Sequence, residues 1–468
     1  MVLREKSSTP VDKNHNQRPW LDRRLLRCIE YVPIDDLKPY PGNPRKHPKR
    51  QQNRLDRNLS GFGIVLPVLV DADGVIIAGE AVHAAAKRLG YSEIPILRID
   101  HLAAAEVKGL RIALNRLAEL AEWDEEKLAL EFQGLIEIDF DIELTGFDNA
   151  EADLIIDHAF APVAAGPADV VPEVEGEPVS RLGDLWLADE HLIFCGDARD
   201  PAAYSVVLQG RLARMVITDP PYNVRVQGNV CGSGAIKHDE FIMASGEMSG
   251  EEYQRFLEVV IRNLVVSTVL GSLHYLFMDW RHLRVLQEVC DECYGPQVNL
   301  CVWVKTNGGM GSLYRSRHEL VFVYKNGSAP HVNNVQLGRY GRNRTNVWEY
   351  EGVNSLSPER RADLALHPTV KPVAMIADAI RDASDRGDLV LDPFLGSGTA
   401  VIACEQTGRV CAGLELDPRY VDVIVRRWQA YTGSKARHAA TGMTFDEMAD
   451  LRRGRTLLLP PPTAGGEA

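Results

Sequence analysis

One stretch narrows the possible folds more than any other. Leu389-Val390-Leu391-Asp392 reads as a short apolar strand that runs into Pro393-Phe394-Leu395-Gly396-Ser397-Gly398-Thr399, a glycine-rich turn. Ala400 to Gln406 then has helical character, and Val410-Cys411-Ala412-Gly413-Leu414-Glu415 is a second apolar run. Two such runs with one helix between them form a parallel crossover, in which both strands are covered on both faces. Glycines let the backbone approach a ligand closely, and an acid at the end of the second strand can accept hydrogen bonds from both hydroxyls of a ribose. Glu415 lies 17 residues after Gly398, close to the roughly 20 expected for that geometry. The full G-x-G-x-x-G pattern is absent, so by itself this stretch is a weak sign of a nucleotide-type cleft.

A second stretch has the same logic. Val216-Ile217-Thr218 ends in Asp219-Pro220-Pro221-Tyr222. Two prolines stop the strand, because proline has no backbone N–H and fixes its own φ. The result is a stiff loop at the carboxyl end of a strand, where open α/β sheets place their ligands. It offers a carboxylate, proline-restricted carbonyls and a flat ring, which are acceptors for an amino group and a surface for an aromatic heterocycle. The plainer alternative is a strand-ending turn with Asp219 as a cap.

Together the two stretches resemble the amino-methylating DNA methyltransferases that use S-adenosylmethionine. Asp219-Pro220-Pro221-Tyr222 matches that family's catalytic motif and Asp392-Pro393-Phe394-x-Gly396-Ser397-Gly398-Thr399 its cofactor loop. His367-Pro368-Thr369-Val370-Lys371-Pro372 looks like the segment that folds over the methionine end of the cofactor, and Gly196-Asp197 like the acidic position that contacts adenine. The resemblance implies a Rossmann-like methyltransferase fold with a circularly permuted motif order, that of the beta class, over residues 181–432. It implies cofactor contacts from Asp197, Lys371, Asp392, Phe394, Gly396, Ser397, Gly398, Thr399 and Glu415, and catalytic roles for Asp219, Pro220, Pro221 and Tyr222. Methyl transfer to N6 of a flipped-out adenine is expected, because cytosine-N4 enzymes more often carry serine where Asp219 stands. No Pro-Cys motif of carbon-5 methylation is present, which agrees with direct transfer.

Composition limits the alternatives. At 468 residues the chain exceeds the size at which single cores stop growing. No run of eighteen apolar residues occurs, so no membrane partner is expected, and the polar N-terminus lacks a signal-type apolar region. Eight scattered cysteines suit a reducing cytoplasm, and Cys290-x-x-Cys293 has no second pair at metal-ligand spacing. No metal is expected. A net charge of −13 argues against a protein that simply coats nucleic acid, but net charge does not describe a local face. Between Cys301 and Thr345 stand Lys305, Arg315, Arg317, Lys325, Arg339, Arg342 and Arg344, against only Glu319. Residues 305–366 fall where the resembled class recognises its target, so Lys305, Arg315, Arg317, Arg339, Arg342 and Arg344 are expected to meet DNA. Cations there would hold phosphates while Asn, Gln and Arg read base edges. Double-stranded DNA is the expected partner, with a homodimer among the assemblies allowed.

The rest of the chain divides by composition. Residues 1–28 read as a flexible tail. Residues 29–118 read as a smaller α+β domain, with strands near 66–70, 74–78 and 94–98 and a helix after Gly79. This unit resembles the N-terminal domain of ParB and sulfiredoxin-like proteins, in which a glycine at the strand-to-helix junction opens a phosphate site. Here the position of the usual arginine holds Val82, and Glu80 would repel phosphate. A positioning or interaction role is therefore expected, with nucleotide binding doubtful. Residues 119–158 read as an acidic helical extension and 159–180, rich in Ala, Pro, Val and Gly, as a linker. Helices are expected over 251–269 and 281–290, with strands at 274–278, 298–304 and 319–324. Residues 433–468 read as a loose tail.

Overall fold

The computed structural model describes residues 29–138, 140–159, 167–172, 174, 176–223, 246–305, 313–335, 344–351 and 370–454. Two compact units divide the chain after Asp148.

In the first unit β1 (Glu30–Pro33), α1 (Lys49–Phe62), β2 (Val68–Val70), β3 (Ile76–Ala78), α2 (Glu80–Arg88), β4 (Glu93–Arg98), α3 (Ala104–Glu119) and α4 (Glu125–Glu137) follow in order. The strands form one sheet in the order β1-β4-β2-β3, with β2 parallel to β4 and the other pairs antiparallel. Val68, Val70, Ile76, Ile94 and Ile96 bury against Leu59 of α1 and against Ala85 and Ala86 of α2. Gly79 joins β3 to α2 at φ +95°, a left-handed conformation in which a side chain would be strained. The sequence carries no clear signal for α1. Among its apolar positions only Leu55 and Leu59 turn to the core, four residues apart on one face, too few to give a visible period.

The second unit opens with α5 (Asn149–Ala159) and contains β5 (Leu185–Ala188), β6 (His191–Cys195), α6 (Pro201–Leu208), β7 (Ala213–Thr218), α7 (Gly250–Val266), β8 (Thr268–Met278), α8 (Leu283–Cys293), β9 (Asn299–Val304), β10 (His318–Lys325) and β11 (Val347–Glu349). It closes with α9 (Val373–Ala383), β12 (Leu389–Asp392), α10 (Thr399–Thr407), β13 (Val410–Glu415), α11 (Pro418–Thr432), β14 (Arg437–His438) and α12 (Phe445–Arg452). Ten strands make one sheet in the order β11-β9-β10-β8-β7-β12-β13-β6-β5-β14. Its centre, β8-β7-β12-β13-β6, is parallel throughout, and β10 enters antiparallel between β8 and β9. This is the Rossmann-like α/β architecture expected, and β7 precedes β12 in the chain although they are neighbours in the sheet.

Side chains alternate across a strand, which explains why the central strands are apolar throughout. Met215 and Ile217 of β7 pack with α9, α10 and α11 on one face, while Val216 packs with α6, α7 and α8 on the other. Tyr275 and Phe277 of β8 join the first core, and Leu276 and Met278 the second. The helix after β12 thus covers one face and the helix after β7 the other. That divergence opens a crevice at the carboxyl ends of β7 and β12, the switch point of a doubly wound sheet.

Three expectations are corrected. The helix expected over 251–269 stops at Val266, and Thr268 starts β8. The β-branched run Val265-Val266 and Thr268-Val269 favours an extended chain. The loose tail expected from 433 is ordered through Gly454, because His438 and Phe445 pack on the fully buried Trp186 at 5.3 and 5.2 Å between ring centroids; residues 455–468 lie outside the described residues. Within the expected linker, Ala168, Val171, Val179 and Ser180 are buried. Asp422 of α11 accepts the backbone N–H groups of Val179 and Ser180 at 2.6 and 2.9 Å. Asp422→Ala leaves two buried donors without an acceptor and is expected to cost about 2–3 kcal/mol. Chemical denaturation checks this, and a loss below about 0.5 kcal/mol would show that water or another group replaces the carboxylate.

Candidate active site

Both loops singled out in the sequence open into one cavity. It encloses about 1330 Å³ including its open mouth, and its walls include Thr218 to Tyr222 from the end of β7, Asp392 to Ser397, Thr399 and Ala400 from the loop after β12, and Glu415 from the end of β13. The register brings them together, with Val390 opposite Met215 and Leu391 opposite Val216. Just beyond these pairs, the Thr218 hydroxyl donates to Asp392 Oδ1 at 2.7 Å.

The glycine-rich loop is shaped by its own backbone. Gly396 and Gly398 have φ values of +52° and +83°. Gly398 also faces Ile424 of α11, whose side chain would lie 2.9 Å from a Cβ added there. Glu415 fixes the loop from below, accepting the backbone N–H of Gly396 at 2.9 Å on one oxygen and that of Asp417 at 2.8 Å on the other. Behind it, Arg427 donates to the Ser397 carbonyl at 2.9 Å and to the Ala168 carbonyl at 2.8 Å. Burial pushes the carboxyls of Asp392 and Glu415 up to about 7, against the hydrogen bonds that favour their charged forms.

On the other wall Asp219 meets two donors. The Tyr222 hydroxyl donates to Oδ1 and the ammonium of Lys371 to Oδ2. Lys371 also lies 3.1 Å from Glu319, which pairs in turn with Lys305. Burial raises the Asp219 carboxyl above the usual carboxylate range and outweighs the opposing pull of Lys371. Glu319 is held down at about 2 despite its burial, because two ammoniums face it. Burial works against the charge of Lys371, yet Asp219 and Glu319 together hold its pKa above the ordinary lysine value. Tyr253 of α7 supports the loop by donating to the Pro221 carbonyl at 2.9 Å.

Asp219, Pro220, Pro221, Tyr222, Lys371, Asp392, Phe394, Gly396, Ser397, Thr399 and Glu415 all line the cavity. Asp197 is placed otherwise. Its neighbours Gly196 and Ala198 are in the wall, while its carboxylate pairs with Arg199 at 2.6 Å. Gly398 shapes the turn from behind. Asp417, Tyr420, Phe277 and Ile376 line the cavity as well and were not anticipated. Asp417 could have been found, since an acid before Pro418 is the start signal of α11, and its side chain caps that helix through the Arg419 N–H. Glu319 was counted only as the single acid in a basic run.

The expected DNA contacts divide. Arg315 and Arg317 are exposed, and Arg317 donates to the Lys305 carbonyl at 3.0 Å. Lys305 is committed to Glu319. Arg344 corrects the expectation, because it is folded inward between Asp378 at 2.9 Å and Asp382 at 2.7 Å, with its charge neutralised by α9. Arg339 and Arg342 lie outside the described residues. Among the described residues no group of three or more His, Cys, Asp or Glu side chains could hold a metal, and no helix is long and apolar enough to cross a membrane.

Glu415→Gln tests the electrostatics of the cavity. A carboxyl whose folded pKa is raised contributes stability that is full below its unfolded value and lost as pH rises through the folded one. The wild type should therefore lose stability from this group between about pH 4.5 and 7, and the variant should show a shallower decline. Denaturation midpoints measured across that window read the difference. Parallel profiles would show that Glu415 carries an ordinary pKa.

Comparison with known proteins agrees with this geometry. Residues 213–426 match the DNA methylase family of N6 and N4 enzymes. Residues 126–182 match the ParB-methyltransferase helix-turn-helix domain, a segment whose composition divides between an acidic extension and a linker. The acids along α4 and α5 and the short turn at Ile142–Thr145 hid that motif. The type II methyltransferase M.HpaI of Haemophilus parainfluenzae is 26% identical over 227 residues, 46% of this chain and 67% of that protein. Of four further type II methyltransferases, the chain spans between 30% and 82% of their length. The crystal structure of an M1.HpyAVI–SAM complex is similar at 20% identity and a TM-score of 0.37, covering 50% of this chain and 97% of that one. A truncated ParB from Caulobacter crescentus, solved with CTP-γ-S, covers 29% of this chain and 81% of its own at 21% identity and a TM-score of 0.26. The chain thus matches the N6/N4 DNA methylase family over residues 213–426 and the ParB-methyltransferase helix-turn-helix domain over residues 126–182.

Proposed function

We propose that this protein transfers a methyl group from S-adenosylmethionine to the exocyclic amino group of a base in double-stranded DNA, and that the base is adenine, methylated at N6. The observation that carries the reading is the shared cavity, in which Asp219 and the glycine-rich loop face one space. The wall residues fit the cofactor. Asp392, Asp219, Glu415 and Asp417 suit a cationic sulfonium and ribose hydroxyls, Phe394, Leu395, Ile376 and Tyr420 offer apolar surface for adenine, and the first turn of α10 presents backbone N–H groups to a carboxylate. S-adenosylmethionine bound there would supply a methyl group on a positively charged sulfur.

The chain's own residues do the rest. Asp219 and the carbonyl of Pro220 accept hydrogen bonds from the target amino group, which turns the nitrogen lone pair toward the cleft. The raised proton affinity of Asp219 also suits it to take the proton that the nitrogen sheds on alkylation. Tyr222 gives the extruded base a stacking surface, an interaction worth about 1–3 kcal/mol. The target atom is inaccessible inside the duplex, so the nucleotide must leave the stack. Positioning and electrostatics supply the acceleration without a covalent enzyme intermediate. The adenine assignment rests on Asp219 leading the motif.

Two variants separate the walls. Asp219→Ala should reduce methyl incorporation into duplex DNA about 10³-fold, the scale of removing one key polar group from a transition state, with cofactor affinity kept within about threefold. Gly398→Val should instead weaken cofactor affinity more than about tenfold, as read by calorimetry. Persistent methylation in the first variant, or unchanged affinity in the second, contradicts the roles given. Hydrolysis of the product to nucleosides identifies the base; N4-methylcytosine would overturn the adenine assignment.

A further inference from the structure

We propose that Glu319 is a positioning residue of this site, which shares the ammonium of Lys371 with Asp219 and so keeps the Asp219 carboxylate available to the incoming amino group. The inference rests on the methyl-transfer reading for what Asp219 receives, but its geometry stands by itself.

Glu319 lies near the start of β10, and β10 runs antiparallel to β8 with Leu320 opposite Met278. Its side chain is therefore delivered to the edge where β7 and β8 end, the edge that carries Asp219. Four charged groups follow one another there. Lys305 donates to Glu319 Oε1, Glu319 Oε2 lies 3.1 Å from Lys371 Nζ, and Lys371 donates to Asp219 Oδ2. The Lys371 side chain is 8% exposed and that of Glu319 16%, so water does little of the neutralising. Rings enclose the ammonium, with Phe277 at 5.2 Å and Tyr222 and Trp303 each at 6.0 Å from Nζ to the ring centroids. Two carboxylates and two ammoniums sum to zero, which is how ionised groups are tolerated at such depth.

The division of Lys371 between two acids has a consequence for chemistry. With Asp219 as its sole partner, the ammonium would form a one-to-one buried pair and compete with a neutral amino group for the same oxygen. A charged donor wins that competition, since charge-assisted hydrogen bonds are roughly twice as strong as neutral ones. Glu319 draws part of the ammonium's charge away. Lys305 sets how strongly it does so, because a Glu319 already paired with Lys305 pulls less on Lys371. The groups facing Asp219 are Lys371, Glu319, Tyr222, Tyr253 and Asp392, with Asp279 facing Tyr222. Those facing Glu319 are Lys371, Lys305, Asp219 and Tyr222.

Opposite signs follow for two substitutions in one cluster. Glu319→Gln removes a like charge from Asp219 and leaves it Lys371 undivided. The acid limb of the kcat–pH profile should move down by about one unit, and kcat on its plateau should fall about tenfold. Lys305→Met frees Glu319 to take more of Lys371, and the limb should move up. Glu319→Asp keeps the charge and should return the limb toward the wild-type position. A merely structural role would lower kcat without moving the limb, and that result overturns the proposal, as do shifts of the same sign in both variants or a Glu319→Gln enzyme indistinguishable from wild type. Carbon-13 NMR titration of the Asp219 carboxylate in the full-length protein reads the same shifts without turnover. If the wild type transferred no methyl group, the methyl-transfer reading would fail while the titration still decided the role of Glu319. If Glu319→Gln did not fold, Lys305→Met and Glu319→Asp carry the test, and an unmoved limb in Lys305→Met overturns it.

Discussion

The hydrogen bond from Thr218 to Asp392 joins the ends of two strands that lie 174 residues apart in the chain. Everything at the site depends on that adjacency. β7 and β12 are neighbours only because the sheet is wound in both directions from this point, with the following helices sent to opposite faces. A parallel sheet of this kind puts both carboxyl ends on one edge, so the two loops must face one another across the crevice. The bond itself occupies Asp392 Oδ1. The N–H of Phe394 completes its setting at 3.0 Å.

The second determinant is electrostatic. The cavity gathers Asp219, Asp392, Glu415 and Asp417 in the walls of a largely apolar pocket, with Lys371 as the ammonium among its wall residues. Burial alone raises the proton affinity of such acids, and Asp219, Asp392 and Glu415 are raised. A cationic ligand would draw all of them toward ionisation, so the pocket without ligand is poised for positive charge. Lys371 partly fills that demand through Asp219, with Glu319 and Lys305 balancing the cluster behind it.

Much of this was legible in the residues, for a physical reason. Pro220, Pro221, Gly396 and Gly398 are backbone devices, and their effect on a chain is local, so Asp219-Pro220-Pro221-Tyr222 and Asp392 to Thr399 could be placed at strand ends without coordinates. The strands of the central sheet were equally visible, because burial on both faces makes each an unbroken apolar run. What escaped depends on partners distant in sequence. Nothing near Glu319 tells that Lys371 will reach it, and nothing near Arg344 tells that Asp378 and Asp382 will enclose it, so both were read from the local balance of charge. Ala168, Val179 and Ser180 stand in a stretch with a linker's composition but are held by Asp422 and Arg427 from α11. The helix-turn-helix match was missed for another reason, since residues 119–158 read as helical but their acids suggested a solvated surface.

In the proposed function one cleft holds the methyl donor on its glycine-rich side and the target amino group on its Asp219 side. A crystal structure of the full-length protein with a non-reactive sulfonium analogue and a duplex carrying its target base tests this directly. The analogue should lie between Glu415 and the Gly396–Thr399 turn, and the exocyclic amino nitrogen within hydrogen-bond distance of Asp219 and the Pro220 carbonyl. An analogue bound elsewhere, or a base whose amino group faces away from Asp219, would contradict it.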